Sequence, residues 1–221
     1  MSKAKQKESA QGVPKRSTRP KLSRAEKSEK IRDDLFHAAA KVIGEHGYLK
    51  AMILMITQQA QVANGTFYNY FESRQDLFDK MLPGMGREML QFITERSQEG
   101  EDEFDREKKR FEAFFEYLDQ YPEFYRVLYE AEVFAPTAFE AHTEQVTKGY
   151  AGLLRRAANN GEITGYASRE LDVLALILMG ARYYIAMHFR RRNAGKAHLP
   201  DWVSDTYKKF IMGGLRAIQE D

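Results

Sequence analysis

Residues 62–71, which read VANGTFYNYF, concentrate hydrogen-bonding side chains and aromatic rings in one short segment. If the segment is a short helix, Phe67 and Phe71 share one face and can be buried, whereas Tyr68 and Tyr70 project away from that face. Tyrosine hydroxyls can donate hydrogen bonds to phosphate oxygens, and asparagine and threonine can contact base edges. The segment therefore indicates a surface that binds nucleic acid. The alternative is that the tyrosines are exposed on the helix surface and bind no partner.

The other chemically active side chains do not form a catalytic pattern. The sequence contains no G-x-S-x-G, G-x-x-x-x-G-K-[ST], H-E-x-x-H or G-x-G-x-x-G motif, and the GMG at residues 84–86 has no strand before it. Its 5 histidines lack metal-ligand spacing, and the absence of cysteine excludes thiolate metal sites, cysteine nucleophiles and disulfides. We predict that the protein is not an enzyme and that it uses no cofactor and no metal.

Helices must position the 62–71 segment. Ser23 and Glu26 form an S-x-x-E capping box at the start of a first helix, whose apolar residues recur at helical spacing until Gly47. Residues 52–60 predict a second, short helix, and a turn separates it from a third helix with Asn64 as its N-cap. A fourth helix follows directly. This order is that of a helix-turn-helix unit, in which the last short helix lies in the major groove of DNA.

Within this layout, Phe67 and Phe71 anchor the third helix against the first and leave its N-terminal end exposed. Gly65 lets the backbone approach a partner closely, Asn69 can read an adenine edge, and the Thr66 methyl group can meet a thymine. A basic residue at the start of the fourth helix can add a phosphate contact. The predicted DNA-binding residues are Asn64, Gly65, Thr66, Tyr68, Asn69, Tyr70 and Arg74.

Charge is concentrated at the N-terminus. The whole chain carries a net charge of only +2, but residues 1–30 hold 10 Lys or Arg against 3 Glu. We predict that residues 1–22 form a disordered basic arm, because they have almost no large apolar side chains to bury. Such an arm is either a solvated leader or, in front of a DNA-binding unit, a segment that follows phosphates or enters a minor groove.

Length and hydropathy favour a globular protein. With 221 residues the chain is long enough for one large domain or two small ones. The N-terminus lacks an apolar signal sequence, and the apolar run at residues 173–181 is too short to cross a bilayer. Together with the absence of cysteine, these features predict a cytoplasmic protein without a membrane partner.

The helix-turn-helix segment carries a family resemblance. Residues 47–82, GYLKAMILMITQQAQVANGTFYNYFESRQDLFDKML, resemble the N-terminal domain of TetR-type transcriptional regulators (the TetR/AcrR family). The resemblance covers about residues 28–82 and implies that the third helix and the start of the fourth face DNA. The matching residues are Gly47, Tyr48, Ile56, Ala60, Val62, Gly65, Phe67, Tyr68, Tyr70, Phe71, Arg74 and Leu77.

The sequence departs from the family pattern at two positions. The family usually has Ser or Thr where Met52 stands, and Met can neither cap the second helix nor bind a phosphate. It usually has Gly in the turn where Gln61 stands. If that turn requires a positive φ, a Gln at this position lowers the stability of the fold by about 1 kcal/mol. Both departures bear on DNA affinity and leave the fold unchanged.

The remainder of the chain predicts further helices. Residues 168–192 are apolar on nearly every side, and Pro200 opens a last helix that we expect to run through Leu215 and Ile218. Because one chain offers too few partners to cover both, these two helices predict a homodimer interface built as a four-helix bundle. The alternative places residues 168–192 at the centre of the monomer. We expect an all-α protein of about nine helices, with a basic arm at 1–22, a three-helix DNA-binding domain at 23–72 and an effector-binding and dimerisation domain at 73–221.

The resemblance further implies a ligand pocket between the C-terminal helices. Aromatic and soft side chains there favour a largely apolar or aromatic effector, with Arg126 able to meet a carboxylate or acyl-thioester group. Each of these side chains, taken singly, is equally compatible with an ordinary core. The predicted lining residues are Phe115, Arg126, Phe139, His142, Val146, Tyr150, Tyr183, Tyr184 and Met187.

These features predict a ligand-responsive homodimeric repressor of the TetR type that binds a palindromic operator in double-stranded DNA. An effector that prefers another helix arrangement would change the spacing of the two recognition helices, and the PG at residues 83–84 marks a kinked lever helix. One alternative is an architectural or non-specific DNA-binding protein that uses its basic arm. Another is a helical adaptor that has lost its DNA role.

Overall fold

The computed structural model describes residues 23–192 and 199–214, and within these ranges the chain is built from helices without a strand. The all-α prediction is confirmed. A 3-10 turn at Tyr48–Lys50 joins the first two helices. The basic arm at 1–22 and the predicted end of the last helix at Leu215 and Ile218 lie outside the described residues. The helices are α1 (Arg24–His46), α2 (Ile53–Gln59), α3 (Asn64–Phe67), α4 (Arg74–Ser97), α5 (Glu103–Gln120), α6 (Glu123–Phe134), α7 (Pro136–Asn159), α8 (Ser168–Arg192) and α9 (Asp201–Gly214).

Both ends of α1 are those that the sequence predicts. The Ser23 hydroxyl accepts from the Glu26 backbone N–H, and the Glu26 carboxylate accepts from the Ser23 N–H, so the capping box is complete. Gly47 ends the helix with φ 79°, and its N–H donates to the Ile43 carbonyl at 2.8 Å. The positive φ explains the glycine, since an L side chain is strained in this region.

The turn between α2 and α3 contains the strain that the sequence predicts. Gln61 has φ 56°, in the left-handed region. Met52 occupies the N-cap of α2 and makes no side-chain capping bond. One detail of the prediction is wrong: Asn64 is the first residue of α3, and Ala63 holds the N-cap position without a side-chain bond.

Helix α4 connects the N-terminal unit to the rest of the chain. Ser73 caps it, with its hydroxyl accepting from the Asp76 N–H at 3.1 Å. Pro83 lies inside the helix, which continues across it as one element to Ser97. Buried apolar residues on α4 pack against α5 and α7, so one helix has its start beside α3 and its body in the C-terminal core.

Helices α8 and α9 leave apolar side chains uncovered in the protomer. On α8 these include Val173, Leu176 and Ile177, and on α9 Trp202 and Phe210. By length and composition alone, Ser168–Phe189 could cross a membrane, a test that core helices of soluble proteins also pass. Exposed apolar surface of this kind is typical of helices that pack against a partner.

Candidate DNA interface and candidate effector cavity

Helix α3 is held by its phenylalanines. Phe67 is fully buried and Phe71 nearly so, and their rings pack at 5.5 Å from each other. Phe71 also packs against Phe36 of α1 at 5.5 Å. Tyr68, by contrast, is 58% exposed. The spacing therefore predicts the positions of Phe67, Phe71 and Tyr68 correctly, whereas Tyr70 packs partly against the core and is not fully exposed.

The other predicted DNA-facing residues surround Tyr68. Asn64, Gly65 and Asn69 are exposed, and no atom lies within 4 Å of the position that a Cβ on Gly65 would take. Thr66 is half-buried, and Tyr70 is half-buried against the core. Asn64, Gly65 and Thr66 lie in α3, and Tyr68, Asn69 and Tyr70 follow its C-terminal end, so both ends of this short helix carry groups that could contact a partner.

Arg74 is partly engaged within the protein. Its Nη1 donates to the carbonyls of Leu49 and Ala51, at 3.4 and 3.5 Å, and its guanidinium lies 5.7 Å from the centre of the Phe78 ring. It therefore ties the start of α4 to the segment that leads into α2. The predicted phosphate contact would share the guanidinium with these two carbonyls.

Thr57 is a residue of this unit that sequence reasoning missed. It is buried on α2, its hydroxyl lies 3.1 Å from the carbonyls of Ile53 and Leu54, and its Oγ1 is 3.4 Å from Oδ1 of Asn64. The contact links the two short helices across the turn. A polar residue at a position with apolar helical periodicity was the available signal.

A cavity of about 1010 Å³ lies between the C-terminal helices and reaches the N-terminal unit. Its wall includes apolar side chains of α4, α6 and α7, and also His46, Gly47, Leu49 and Lys50 from the junction of α1 and α2. The volume is at the upper end of the range for small-molecule sites. Six of the predicted lining residues line it: Arg126, Phe139, His142, Val146, Tyr150 and Tyr183.

Three predicted lining residues lie elsewhere. Phe115 is buried in an aromatic cluster with Phe111 and Phe114, at centroid distances of 4.9 and 5.3 Å, and does not line the cavity. Tyr184 is exposed on α8, and Met187 is half-buried on the same helix, also outside the lining. Helical periodicity identifies an apolar face but does not say which of its residues meet a void and which meet a neighbouring helix.

A buried polar network forms one end of the cavity wall. The Glu107 carboxylate of α5 accepts from the hydroxyls of Tyr150 and Tyr207 and from the guanidinium of Arg182. Arg110 bonds Glu107 at 3.1 Å and completes a group in which every member is buried. Burial raises the pKa of Tyr150 and of Tyr207 far above the ordinary value, so both hydroxyls stay protonated and donate. Glu107 was missed although it lies on the apolar face of α5, one helical turn from Phe104 and Phe111; a charged residue within that face was the available signal.

His142 occupies the junction between α7 and α4. A Cβ built on Gly86 would lie 2.3 Å from its Nδ1, so the imidazole fills the space that the glycine leaves. Burial lowers the pKa of His142 to about 4 and keeps the ring neutral at physiological pH.

Arg126 and Glu130 of α6 line the cavity where it meets the N-terminal unit. Arg126 Nε donates to Glu130 Oε1 at 2.6 Å, and Arg126 Nη1 donates to the Gly44 carbonyl of α1 at 3.1 Å. The Tyr48 backbone N–H donates to Glu130 Oε2 at 3.0 Å. The cavity wall is therefore bonded directly to the end of α1.

Sequence comparison places residues 35–81 in the family of bacterial regulatory proteins described as the tetR family. A fatty acid metabolism regulator protein of Bacillus subtilis (strain 168) is 38% identical over 65 residues, which are 29% of this chain and 31% of that protein. The chain therefore spans about a third of the length of this curated relative.

Solved structures match along most of the chain. A TetR-family transcriptional regulator from Pectobacterium atrosepticum has a TM-score of 0.63 and 22% identity, over 89% of this chain and 98% of that one. The regulator FadR from Bacillus subtilis, solved in complex with stearoyl-CoA, has a TM-score of 0.64 and 16% identity, over 83% of this chain and 98% of that one. Residues 35–81 therefore match the N-terminal domain of the tetR family, and the chain shares the fold of these solved TetR-family structures.

Proposed function

We propose that the protein is a ligand-responsive homodimeric repressor that binds a palindromic operator through α3 and is released by a largely apolar effector. The observation that carries this proposal is the reach of the cavity, whose wall extends from the C-terminal helices to His46, Gly47, Leu49 and Lys50 beside α2. A ligand in this cavity would touch the element that positions the helix-turn-helix unit. In this proposal the protein is a cytoplasmic regulator without enzymatic activity.

The proposed domain organisation keeps the boundaries that the sequence predicts. Residues 23–72 contain the short helices that would contact DNA, and residues 73–221 would bind the effector and form the dimer, with the arm at 1–22 following the phosphates. The uncovered apolar side chains of α8 and α9 support a two-fold interface through these helices. Two recognition helices would then lie one DNA turn apart, about 34–36 Å.

The chemistry of the lining supports an apolar effector. Phe114, Phe124, Leu128, Phe139 and Val146 line the cavity beside fewer polar groups. Among apolar molecules we propose acyl thioesters as the first class to test, because a protein of the same fold was solved in complex with stearoyl-CoA. An aromatic effector is the second class, since rings make up much of the wall.

The proposed mechanism is a shift between two arrangements of the dimer. The operator would select the arrangement with half-site spacing, and the effector would select another. Because such coupling is reciprocal, the operator must weaken effector binding by the same factor by which the effector weakens operator binding.

The test is operator binding with and without an acyl thioester. Fluorescence anisotropy of a duplex that the protein selects from random DNA should show at least a tenfold weaker affinity with lauroyl-CoA, and an unrelated duplex should bind weakly in both cases. Equal affinity for both duplexes with a steep salt dependence would instead identify a non-specific DNA-binding protein that relies on its arm.

A further inference from the structure

Five residues join the end of α1 to α6, and we refer to them as the α1–α6 clasp: Gly44, Gly47, Tyr48, Arg126 and Glu130. Arg126 is shared between two acceptors, the Glu130 carboxylate at 2.6 Å and the Gly44 carbonyl at 3.1 Å. Glu130 in turn is shared between Arg126 and the Tyr48 backbone N–H at 3.0 Å. Breaking the ion pair therefore affects both bonds that reach the N-terminal unit.

The clasp provides a hydrogen-bond donor for a carbonyl at the C-terminal end of α1. The last carbonyls of a helix have no partner within the helix, and a cation near them is favoured by the helix dipole. The Gly44 carbonyl is one of these groups, and Arg126 supplies both the donor and the charge. The absence of side chains at Gly44 and Gly47 lets α1 and α6 approach closely. A Cβ on Gly44 would lie 2.6 Å from the Cβ of Glu123, and one on Gly47 would lie 2.8 Å from Arg126 Nη2.

The clasp is also accessible from the cavity. Gly47, Arg126 and Glu130 belong to the cavity wall, and the side chains of Arg126 and Glu130 are 38% and 20% exposed. The nearby charged or titratable lining residues are His46, Lys50 and Glu132. A ligand whose apolar body fills the cavity can therefore place its polar end against the partly exposed guanidinium of Arg126.

We propose that Arg126 is the effector sensor, and that an amphipathic anion opens the α1–α6 clasp by taking this guanidinium from Glu130 and from the Gly44 carbonyl. The inference rests on the proposed function and adds the group that recognises the effector head and the path of the signal. Carboxylate and phosphate both pair with a guanidinium in a bidentate fashion, which uses the donors that the clasp now occupies. The end of α1, the 3-10 turn and the start of α2 then lose their bonds to α6.

The experiment uses the full chain, its selected operator duplex and three probes with one alkyl chain length. Laurate carries a carboxylate, lauroyl-CoA carries phosphates, and dodecanol carries no charge. For the wild type we expect at least one of the two anions to weaken operator binding at least tenfold and dodecanol to change it less than threefold. A response to laurate identifies a carboxylate as sufficient, and a response to lauroyl-CoA alone assigns the anion to the phosphates.

Three variants separate the sensor from general loosening of the α1–α6 contact. Arg126→Gln should bind the operator at least threefold more weakly without any probe, and the anions should change its affinity less than twofold. Glu130→Gln removes the competing carboxylate and should bind the active anion at least threefold more tightly. Tyr48→Phe is the matched control, because it keeps the backbone N–H that bonds Glu130 and removes only the hydroxyl that donates to the Val127 carbonyl at 3.2 Å across the same contact. It should keep the anion response.

The outcomes distinguish the two proposals. If the Arg126→Gln protein remains folded, as judged by its thermal unfolding, and responds to the anions as the wild type does, the sensor role is wrong and the ligand-responsive function stands. The same conclusion follows if dodecanol acts as strongly as the anions. If none of the three probes changes operator binding, the acyl effector class and the sensor role both fail.

Discussion

At the scale of single residues, Gln61 is the position where the chain departs most clearly from its local preferences. Its φ of 56° places an L side chain in the left-handed region between α2 and α3. We expect Gln61→Gly to raise the free energy of unfolding by about 0.5–1 kcal/mol, because glycine adopts this backbone without the steric penalty. Urea denaturation measures the change.

Gln58→Gly is the matched control for this prediction. Gln58 is exposed inside α2, where glycine should lower the free energy of unfolding by about 1 kcal/mol. Opposite signs for the two substitutions would show that the effect belongs to the turn. A loss of stability in both would contradict the account of strain at Gln61.

His142 predicts a pH dependence of stability. Its pKa is about 4 in the folded protein, below the ordinary value near 6.5, so the unfolded chain binds more protons between these values. Stability is therefore fully present above about pH 6.5 and is lost as the pH falls towards 4, with a cost of about 2 kcal/mol between pH 7 and pH 5. Urea denaturation at both pH values measures the loss.

His142→Asn isolates this contribution, since asparagine does not titrate. The variant should lose about 2 kcal/mol less than the wild type between the two pH values. His37 has the opposite effect on the pH dependence of stability, because the Glu88 carboxylate raises the pKa of its imidazole. This contribution is present in both the wild type and the variant and cancels in the comparison. Equal losses in wild type and variant would contradict a depressed His142 pKa.

At the scale of elements, α2 begins without a side-chain cap. Met52 has extended backbone angles suited to an N-cap and is exposed, so a hydroxyl there could accept from the backbone without displacing other atoms. We expect Met52→Thr to raise the free energy of unfolding by up to ~1 kcal/mol and to strengthen operator binding. Thermal unfolding and anisotropy titration measure the two effects, and Leu54→Thr, on exposed α2 surface, should produce neither.

The sequence predicted the helices well because their ends carry local signals. The capping box at Ser23, the glycine at Gly47 and the serine at Ser73 each act within one turn of the chain, and the structure has α1 and α4 begin and α1 end at these residues. The split between buried Phe67 and exposed Tyr68 followed from helical spacing alone. Such features need no knowledge of distant residues.

The cavity was predicted only in part because its shape depends on contacts between distant helices. Phe115 has the same chemistry as the lining residue Phe114, but it faces the aromatic cluster of α5 and α9. The Glu107 network joins residues as far apart as 100 positions in the chain, and no spacing rule connects them. Helical spacing places Glu107 on the apolar face of α5, but it does not identify the side chains of other helices that bond it.

At the scale of the whole molecule, the exposed apolar surfaces of α8 and α9 predict the oligomeric state. Phe210 is 64% exposed in the protomer, and Phe210→Glu would place a charge in the proposed interface. We expect this variant to be monomeric by light scattering and to bind the operator at least tenfold more weakly. Leu54→Glu is the matched control, since Leu54 is 55% exposed on α2 in the N-terminal unit, and it should remain a dimer. A dimeric Phe210→Glu protein would place the interface elsewhere.

The central claim is that the protein reads a specific DNA sequence through α3, and selection of DNA from a random pool tests it most directly. We expect a palindrome with half-sites one helical turn apart, which Tyr68→Ala binds at least tenfold more weakly, a loss of about 1.4 kcal/mol or more. Tyr129→Ala, an equally exposed tyrosine on α6, should bind it as the wild type does. No enrichment, or an equal affinity of the Tyr68→Ala protein, would contradict the account and leave the C-terminal helices as the place to search for function.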